Sequence, residues 1–409
     1  MCYDLLMRKI LFATLLFCLL VPHSSLAAGL NLAQKYAGKF IIQSESYDRL
    51  WYIDPQEKTR YVLRDAQGIM DFFRQKATGI SNKDLAKIKT AAKQSYNVKL
   101  TNRFRGKFLL AAENNGEIWY VDPDTGIRYF LKDGQAAYDF FVNRAIKLKN
   151  NNLKKIAISS QQITPSYTFD NVAYAVYNDG VFQAGLYSND ILPIASLSKL
   201  MTALVLLDTK PDWQKKITIT PEQINYPKIY VGNDVTSEVN IASGQTISFY
   251  DLWVAMLLAS SNQSAVALAE STGLSRQDFV DKMNAKSAAL GLRKTIFYDI
   301  AGLDEGNAST AREMAQIAIA AFAHPEIAEA TAKNQYTLNI LNTDGTNTTC
   351  EAINRNTSLM AFGPEAAKSG YLVEAQRTAV LKKDPQIIAI LHANSMQERN
   401  KIIAKYLGQ

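Results

Sequence analysis

The sequence predicts an α+β chain: two small α+β repeat modules precede a larger domain whose sheet draws on both of its ends. Three observations carry this. A block recurs without gaps at an offset of 68 residues, strand-like runs flank a helix-rich middle, and the two regions differ in charge.

The repeat comes first. Gly38-Lys39-Phe40 returns as Gly106-Lys107-Phe108, Trp51-Tyr52 as Trp119-Tyr120, Asp54-Pro55 as Asp122-Pro123, and Asp71-Phe72-Phe73 as Asp139-Phe140-Phe141. Each copy opens with two short apolar runs, Phe40 to Gln43 and Leu50 to Ile53 in the first. A turn at Asp54-Pro55, a third run from Arg60 to Leu63 and a helix around Phe72 follow. The copies read as residues 36–98 and 104–160. The mostly polar stretch from Ala157 to Asn171, with Pro165, suits a linker, bounded at 161–170, and residues 171–409 form the larger domain.

Between Gly29 and Ser160 there are 23 Lys and Arg against 13 Asp and Glu, whereas residues 161–409 hold 20 against 24. A basic module favours an anionic surface such as a wall polymer or lipid headgroups. Because the charges are scattered, a solvated spacer fits equally well, and nucleic acid is a poor third choice for an exported chain. Export is read from Arg8-Lys9, the apolar run Ile10 to Leu20 and the Ser25-Leu26-Ala27 site, which together make residues 1–27 a signal peptide. The apolar run is shorter than the roughly 20 residues a membrane span needs.

Of three cysteines, Cys2 and Cys18 leave with such a signal and Cys350 stays, so no internal disulfide is expected. His324 and His392 are the histidines beyond residue 27. No compact set of metal ligands is present, so neither metal nor cofactor is expected. His324 precedes Pro325 and His392 sits in an apolar strand pattern, so a serine enzyme here would more naturally use a lysine base.

In the larger domain, Val172 to Tyr177 and Val181 to Tyr187 read as strands turned at Asp179-Gly180. Ser248 starts an apolar helix from Leu252 to Leu258, Gln277 to Leu290 is a helix stopped by Gly291, and Thr310 with Glu313 reads as a capping box. Arg377 to Lys382 and Gln386 to Ala393 are strands, and Gln397 to Tyr406 is a closing helix.

Within this frame, Ser196-Leu197-Ser198-Lys199 opens an apolar helix with Leu200, Ala203, Leu204 and Leu207 at helical spacing. Residues three apart share a helical face, so the Ser196 hydroxyl and Lys199 amine can meet. A serine attacks only when a base takes its proton, and a lysine is a base only when burial or a nearby cation lowers its pKa. Two further motifs follow, Ser260-Ser261-Asn262 and Lys368-Ser369-Gly370, the latter ahead of the strand Arg377 to Lys382.

These three motifs in this order, with their flanks Pro193 to Asp208, Leu257 to Glu270 and Ala289 to Glu313, resemble the serine-type D-alanyl-D-alanine carboxypeptidases, the low-molecular-weight penicillin-binding proteins. The resemblance spans about residues 171–409 and none of the repeats. It implies a β-lactamase/transpeptidase-like fold, an antiparallel sheet flanked by helices. It implies Ser196 as nucleophile on the D-Ala-D-Ala bond of peptidoglycan stem peptides, Lys199 as base helped by a cationic Lys368, and Ser260 as proton relay. Asn262 would hold Lys199 and the substrate backbone. Lys368, Ser369, Gly370 and Tyr371 would bind substrate, the backbone N–H groups of Ser196 and Tyr371 forming the oxyanion hole. β-Lactams would acylate Ser196.

Leu372 stands where relatives often carry a hydroxyl, and Gln376 where they carry glycine. The chain stops soon after its last helix, which resembles the endopeptidase branch. D,D-endopeptidase action on cross-links, or a wall-binding scaffold of weakened turnover, are therefore the alternatives. A class A β-lactamase is disfavoured, since its Glu-x-x-Leu-Asn setting is missing.

Overall fold

A computed structural model describes residues 32–409 apart from 45–48, 65, 93–94, 114 and 233. The signal segment read over residues 1–27 lies outside the described residues. The chain divides into two compact units, with the boundary after Gln162.

In the first unit, strands β1 (Phe40–Gln43), β2 (Arg49–Ile53) and β3 (Arg60–Val62) precede helix α1 (Ala66–Lys76) and the short β4 (Thr78–Gly79). The second copy repeats them as β5 (Phe108–Ala111), β6 (Glu117–Val121), β7 (Arg128–Leu131), α2 (Gly134–Val142) and β8 (Ile146–Leu148). The copies do not simply follow one another. Each gives its last strand to the other's sheet, β8 pairing parallel to β1 and β4 parallel to β5. One aromatic core serves both: Phe40 stacks on Phe141 at 4.0 Å, and Phe72 meets Phe108 edge-on at 5.5 Å. Tyr52 donates to the Gly106 carbonyl and Tyr120 to the Gly38 carbonyl, both at 2.6 Å. Gly38 and Gly106, both at positive φ, face each other so closely that a Cβ on either would lie 2.4 or 2.7 Å from the other's Cα. Only glycine permits that approach.

The first half of the polar stretch read as linker is held by this unit. The Arg60 amide donates to the Ala157 carbonyl and the Ser159 amide to the Arg60 carbonyl, while the Gln162 side chain bridges both main-chain groups of Val62. Its second half starts the second unit, where the Ser166 amide donates to the Ile191 carbonyl.

The second unit is built on a five-stranded antiparallel sheet. Strands β9 (Ala173–Asn178) and β10 (Val181–Leu186) come from its start, and β11 (Ala366–Leu372), β12 (Gln376–Lys383) and β13 (Gln386–Ala393) from its end. The order is β10-β9-β13-β12-β11, so the first strand lies beside the last, as expected from strands at both ends. In β13, Ile387, Ala389 and Leu391 face the helical core, while Ile388 and Ile390 face the C-terminal helix Met396–Leu407. Burial on both faces explains why this strand reads as an unbroken apolar run.

Helix α3 (Ser198–Asp208) continues a 3-10 turn, Ala195–Leu197. Helix α4 (Phe249–Leu258) starts where the Ser248 side chain accepts the Asp251 amide, and is buried on nearly every side. Helix α5 (Asn262–Glu270) starts at Ser261, whose hydroxyl accepts the Ser264 amide. Buried serines at N-cap positions satisfy amides that a helix leaves unpaired. Helix α6 (Ala311–Phe322) differs from expectation. Thr310 caps it, but the Glu313 carboxylate turns away to accept from the Arg293 and Lys294 amides and the Thr295 hydroxyl, so the capping box is half formed. Strands Gln335–Leu341 and Asn347–Ile353, absent from the sequence reading, form a hairpin in a second, four-stranded sheet.

Candidate active site

Ser196 sits in the 3-10 turn ahead of α3, with Lys199 one turn along. The turn is held open by an unusual backbone: Ala195 has φ 48°, and its carbonyl accepts the Ser198 hydroxyl at 2.8 Å. Asn307 donates to that hydroxyl at 3.0 Å and to the Asp299 carbonyl at 2.9 Å, tying the turn to the loop 299–307. Gly302 packs beneath it, where a Cβ would lie 2.0 Å from the Ala195 oxygen. The position of Ser196 thus depends on a glycine about a hundred residues away.

Lys199 is fully buried and gives its three N–H bonds to three acceptors: Ser196 Oγ at 3.1 Å, Asn262 Oδ1 at 2.7 Å and the Ala301 carbonyl at 2.7 Å. Burial lowers its pKa to about 8, against the pull of the Glu238 and Asp299 carboxylates, which favour the charged form. Lys368 is equally buried on the edge strand β11, donating to Ser260 Oγ at 2.9 Å and the Ser369 carbonyl at 2.8 Å. Burial, and then the charge of Lys199, hold it well below the usual lysine range. A cationic Lys368 holding Lys199 neutral was expected. The charge of Lys199 lowers Lys368, whereas Lys199 itself is lowered by burial and raised by the Glu238 and Asp299 carboxylates.

Ser260 lies between α4 and α5 at φ 60° and is buried. Asn262 opens α5. Its Oδ1 accepts from Lys199, while its Nδ2 donates to Glu238 Oε1 at 2.8 Å and the Ser237 carbonyl at 3.4 Å, so both ends of the amide are engaged within the protein. Lys368, Ser369, Gly370 and Tyr371 all belong to β11, the strand just ahead of β12. A Cβ on Gly370 would lie 2.8 Å from the Ser196 amide nitrogen and 2.7 Å from Thr378 Oγ1, which brings this strand against the nucleophile turn. Tyr371 is half exposed, with the Arg377 guanidinium over its ring at 4.3 Å.

Sequence reasoning missed Glu238 and Asp299. Asp299 lies inside the run quoted for the resemblance; fully buried, it accepts the Ala301, Gly302 and Asp304 amides and the Tyr226 hydroxyl. Glu238 comes from the loop 234–245, which leads into the short strand Thr246–Ser248, and no pattern marks it. Among the described residues no group of His, Cys, Asp and Glu could hold a metal ion.

A hydroxyl in contact with a buried amine of lowered pKa, beside a glycine-bearing edge strand, is the equipment of acyl transfer without imidazole or metal. The chain belongs to the D-alanyl-D-alanine carboxypeptidase family of serine peptidases, which it matches over residues 181–393. It is similar to the D-alanyl-D-alanine endopeptidase of Pseudomonas aeruginosa, 30% identical over 51% of this chain and 67% of that protein. The D-alanyl-D-alanine endopeptidase of Escherichia coli is 35% identical over 35% of this chain and 45% of its own length. The D-alanyl-D-alanine carboxypeptidase DacF of Bacillus subtilis is 28% identical over 54% and 56%. This chain therefore spans about half to two thirds of these relatives. The fold is shared with the DD-transpeptidase of Streptomyces K15, TM-score 0.53 at 23% identity, over 57% of this chain and 94% of that one.

Proposed function

We propose that the second unit is a serine D,D-peptidase that cleaves the D-Ala-D-Ala bond of peptidoglycan stem peptides through an acyl-enzyme on Ser196. The observation that carries this is the 3.1 Å contact of Lys199 Nζ with Ser196 Oγ inside a buried site. Ser196 Oγ attacks the penultimate D-Ala carbonyl carbon while neutral Lys199 accepts its proton. The amides of Ser196 and Tyr371 receive the oxyanion. The C–N bond then breaks, a proton passing through Ser260 to the leaving amine. Water hydrolyses the ester by the same groups in reverse. The terminal carboxylate of the substrate sits near Lys368 and Ser369 and favours the charged form of Lys368 that burial disfavours.

Labelled penicillin tests the reading: the full-length protein is expected to take it up covalently and a Ser196→Ala variant to take up none. Equal labelling of both would overturn it. Endopeptidase action on cross-links is the second reading, favoured by two relatives that carry that name. Mass analysis of muropeptides before and after incubation separates the two, by loss of D-Ala or by halving of dimers. Localisation follows from the substrate and the signal-like start: an exported protein of the cell envelope. The basic first unit serves to hold it on an anionic wall polymer or membrane surface, and pelleting with cell walls that salt does not weaken would contradict that.

A further inference from the structure

Among the described residues Glu238 makes no hydrogen bond to Lys199 or Ser196, yet it holds the residue that does: Asn262, which accepts from Lys199. Its Oε1 accepts from Asn262 Nδ2 at 2.8 Å and the Thr236 hydroxyl at 3.0 Å. Its Oε2 accepts from the Ser261 hydroxyl at 2.9 Å and the Gln263 amide at 3.0 Å. The carboxylate thus sits on the amino-terminal end of α5, where a negative charge is favoured, and grips three consecutive residues there.

The two ends of an asparagine amide have nearly the same shape but opposite hydrogen-bonding character. An acceptor-only group on one end therefore decides which end faces the other way. With Glu238 on Nδ2, Asn262 must present Oδ1 to Lys199, the one orientation in which it can accept from the ammonium. We propose that Glu238 is a positioning residue of this active site, which fixes the Asn262 amide against Lys199 and, through its charge, sets the pH at which Lys199 becomes a base. The inference deepens the peptidase reading and rests on it.

The charged groups around Lys199 are few. Glu238 faces it from the loop 234–245, Asp299 from the loop that carries the Ala301 carbonyl, and Lys368 from β11. The two carboxylates favour the ammonium; Lys368, when charged, opposes it. Asp299 is committed to three backbone amides and cannot be changed without disturbing its loop. Glu238 is the carboxylate whose exchange for an isosteric amide leaves that loop intact.

The test is the second-order rate of acylation of full-length protein by labelled benzylpenicillin from pH 6 to 10, with melting curves for each variant. Loss of the anion in Glu238→Gln disfavours charged Lys199, so the acid limb is expected to move down by about half to one pH unit. The plateau is expected to fall about tenfold, because a glutamine can offer Asn262 the wrong end. Glu238→Asp keeps the charge, so its limb stays with the wild type while its plateau drops, the shorter arm no longer reaching Asn262. An unmoved limb in a folded Glu238→Gln protein would overturn the electrostatic part. A wild-type plateau in Glu238→Asp would overturn the positioning part, even if the glutamine variant does not fold. Wild-type protein that takes up no penicillin would instead sink the peptidase reading itself.

Discussion

Lys199 Nζ lies 2.7 Å from Asn262 Oδ1, which contributes the side-chain acceptor that keeps a fully buried amine in place beside Ser196. An amine taken from water loses its preference for the charged form unless acceptors replace the solvent. Here three do so, yet burial still wins and the pKa falls to about 8.

The pH dependence follows with a definite sign. Lys199 accepts the Ser196 proton only when neutral, and with a pKa of about 8 roughly a tenth of the molecules qualify at pH 7. Acylation by labelled penicillin is expected to rise about tenfold per pH unit below pH 8 and to level off above it. A flat profile between pH 6 and 9 would exclude Lys199 as the base.

Gly302→Ala is expected to harm both stability and activity. Its φ is +82°, and the added Cβ would lie 2.0 Å from the Ala195 carbonyl oxygen, whose turn carries the nucleophile. Relieving that clash displaces Ser196 or strains the loop, at a cost of about 2–4 kcal/mol. Urea unfolding should show the loss, and acylation should slow beyond what the unfolded fraction accounts for.

Ser260→Ala tests the departure of the leaving amine, which completes acylation by peptide. It removes the hydroxyl that accepts from Lys368 at 2.9 Å, and with it the proposed path for a proton to the leaving amine. Peptide cleavage is expected to fall about 100-fold. Stopped-flow acylation and muropeptide release, measured on the same preparation, check this; unchanged peptide turnover would remove Ser260 from the proton path.

Gly38→Ala and Gly106→Ala are each expected to destabilise the first unit, since each Cβ would meet the partner glycine's backbone inside normal contact. The two changes strike one contact, so their combined effect should differ from the sum by about 1 kcal/mol or more. Strict additivity in a double-mutant cycle would show that the two glycines relax independently.

Much of the candidate site was legible in the sequence because its central pair is local. A helix fixes the spacing of Ser196 and Lys199, and the serine and glycine motifs carry their own backbone demands. Lys368 was found by its neighbours in sequence, but its own strand went unread, since Ala366 to Leu372 mixes lysine, serine and glycine and hides its β pattern. The hairpin strand Gln335–Leu341 did carry the alternation, with Leu338 and Ile340 buried between exposed residues, and went unread. Glu238 could not be found this way: nothing in Thr236-Ser237-Glu238 foretells that a loop will fold back onto the start of α5. The repeat disclosed that two copies exist, but a two-residue strand such as Thr78–Gly79 says nothing of whose sheet it joins.

That exchange of end strands has a consequence for how the first unit can change. Neither copy is a spare part: cutting the chain between them would leave each half with a bare sheet margin at β1 or β5 and an opened aromatic interior. A lone half could recover both only by clasping a second half from another molecule, so a shortened protein carrying one copy would assemble as twins where the intact chain is already its own twin.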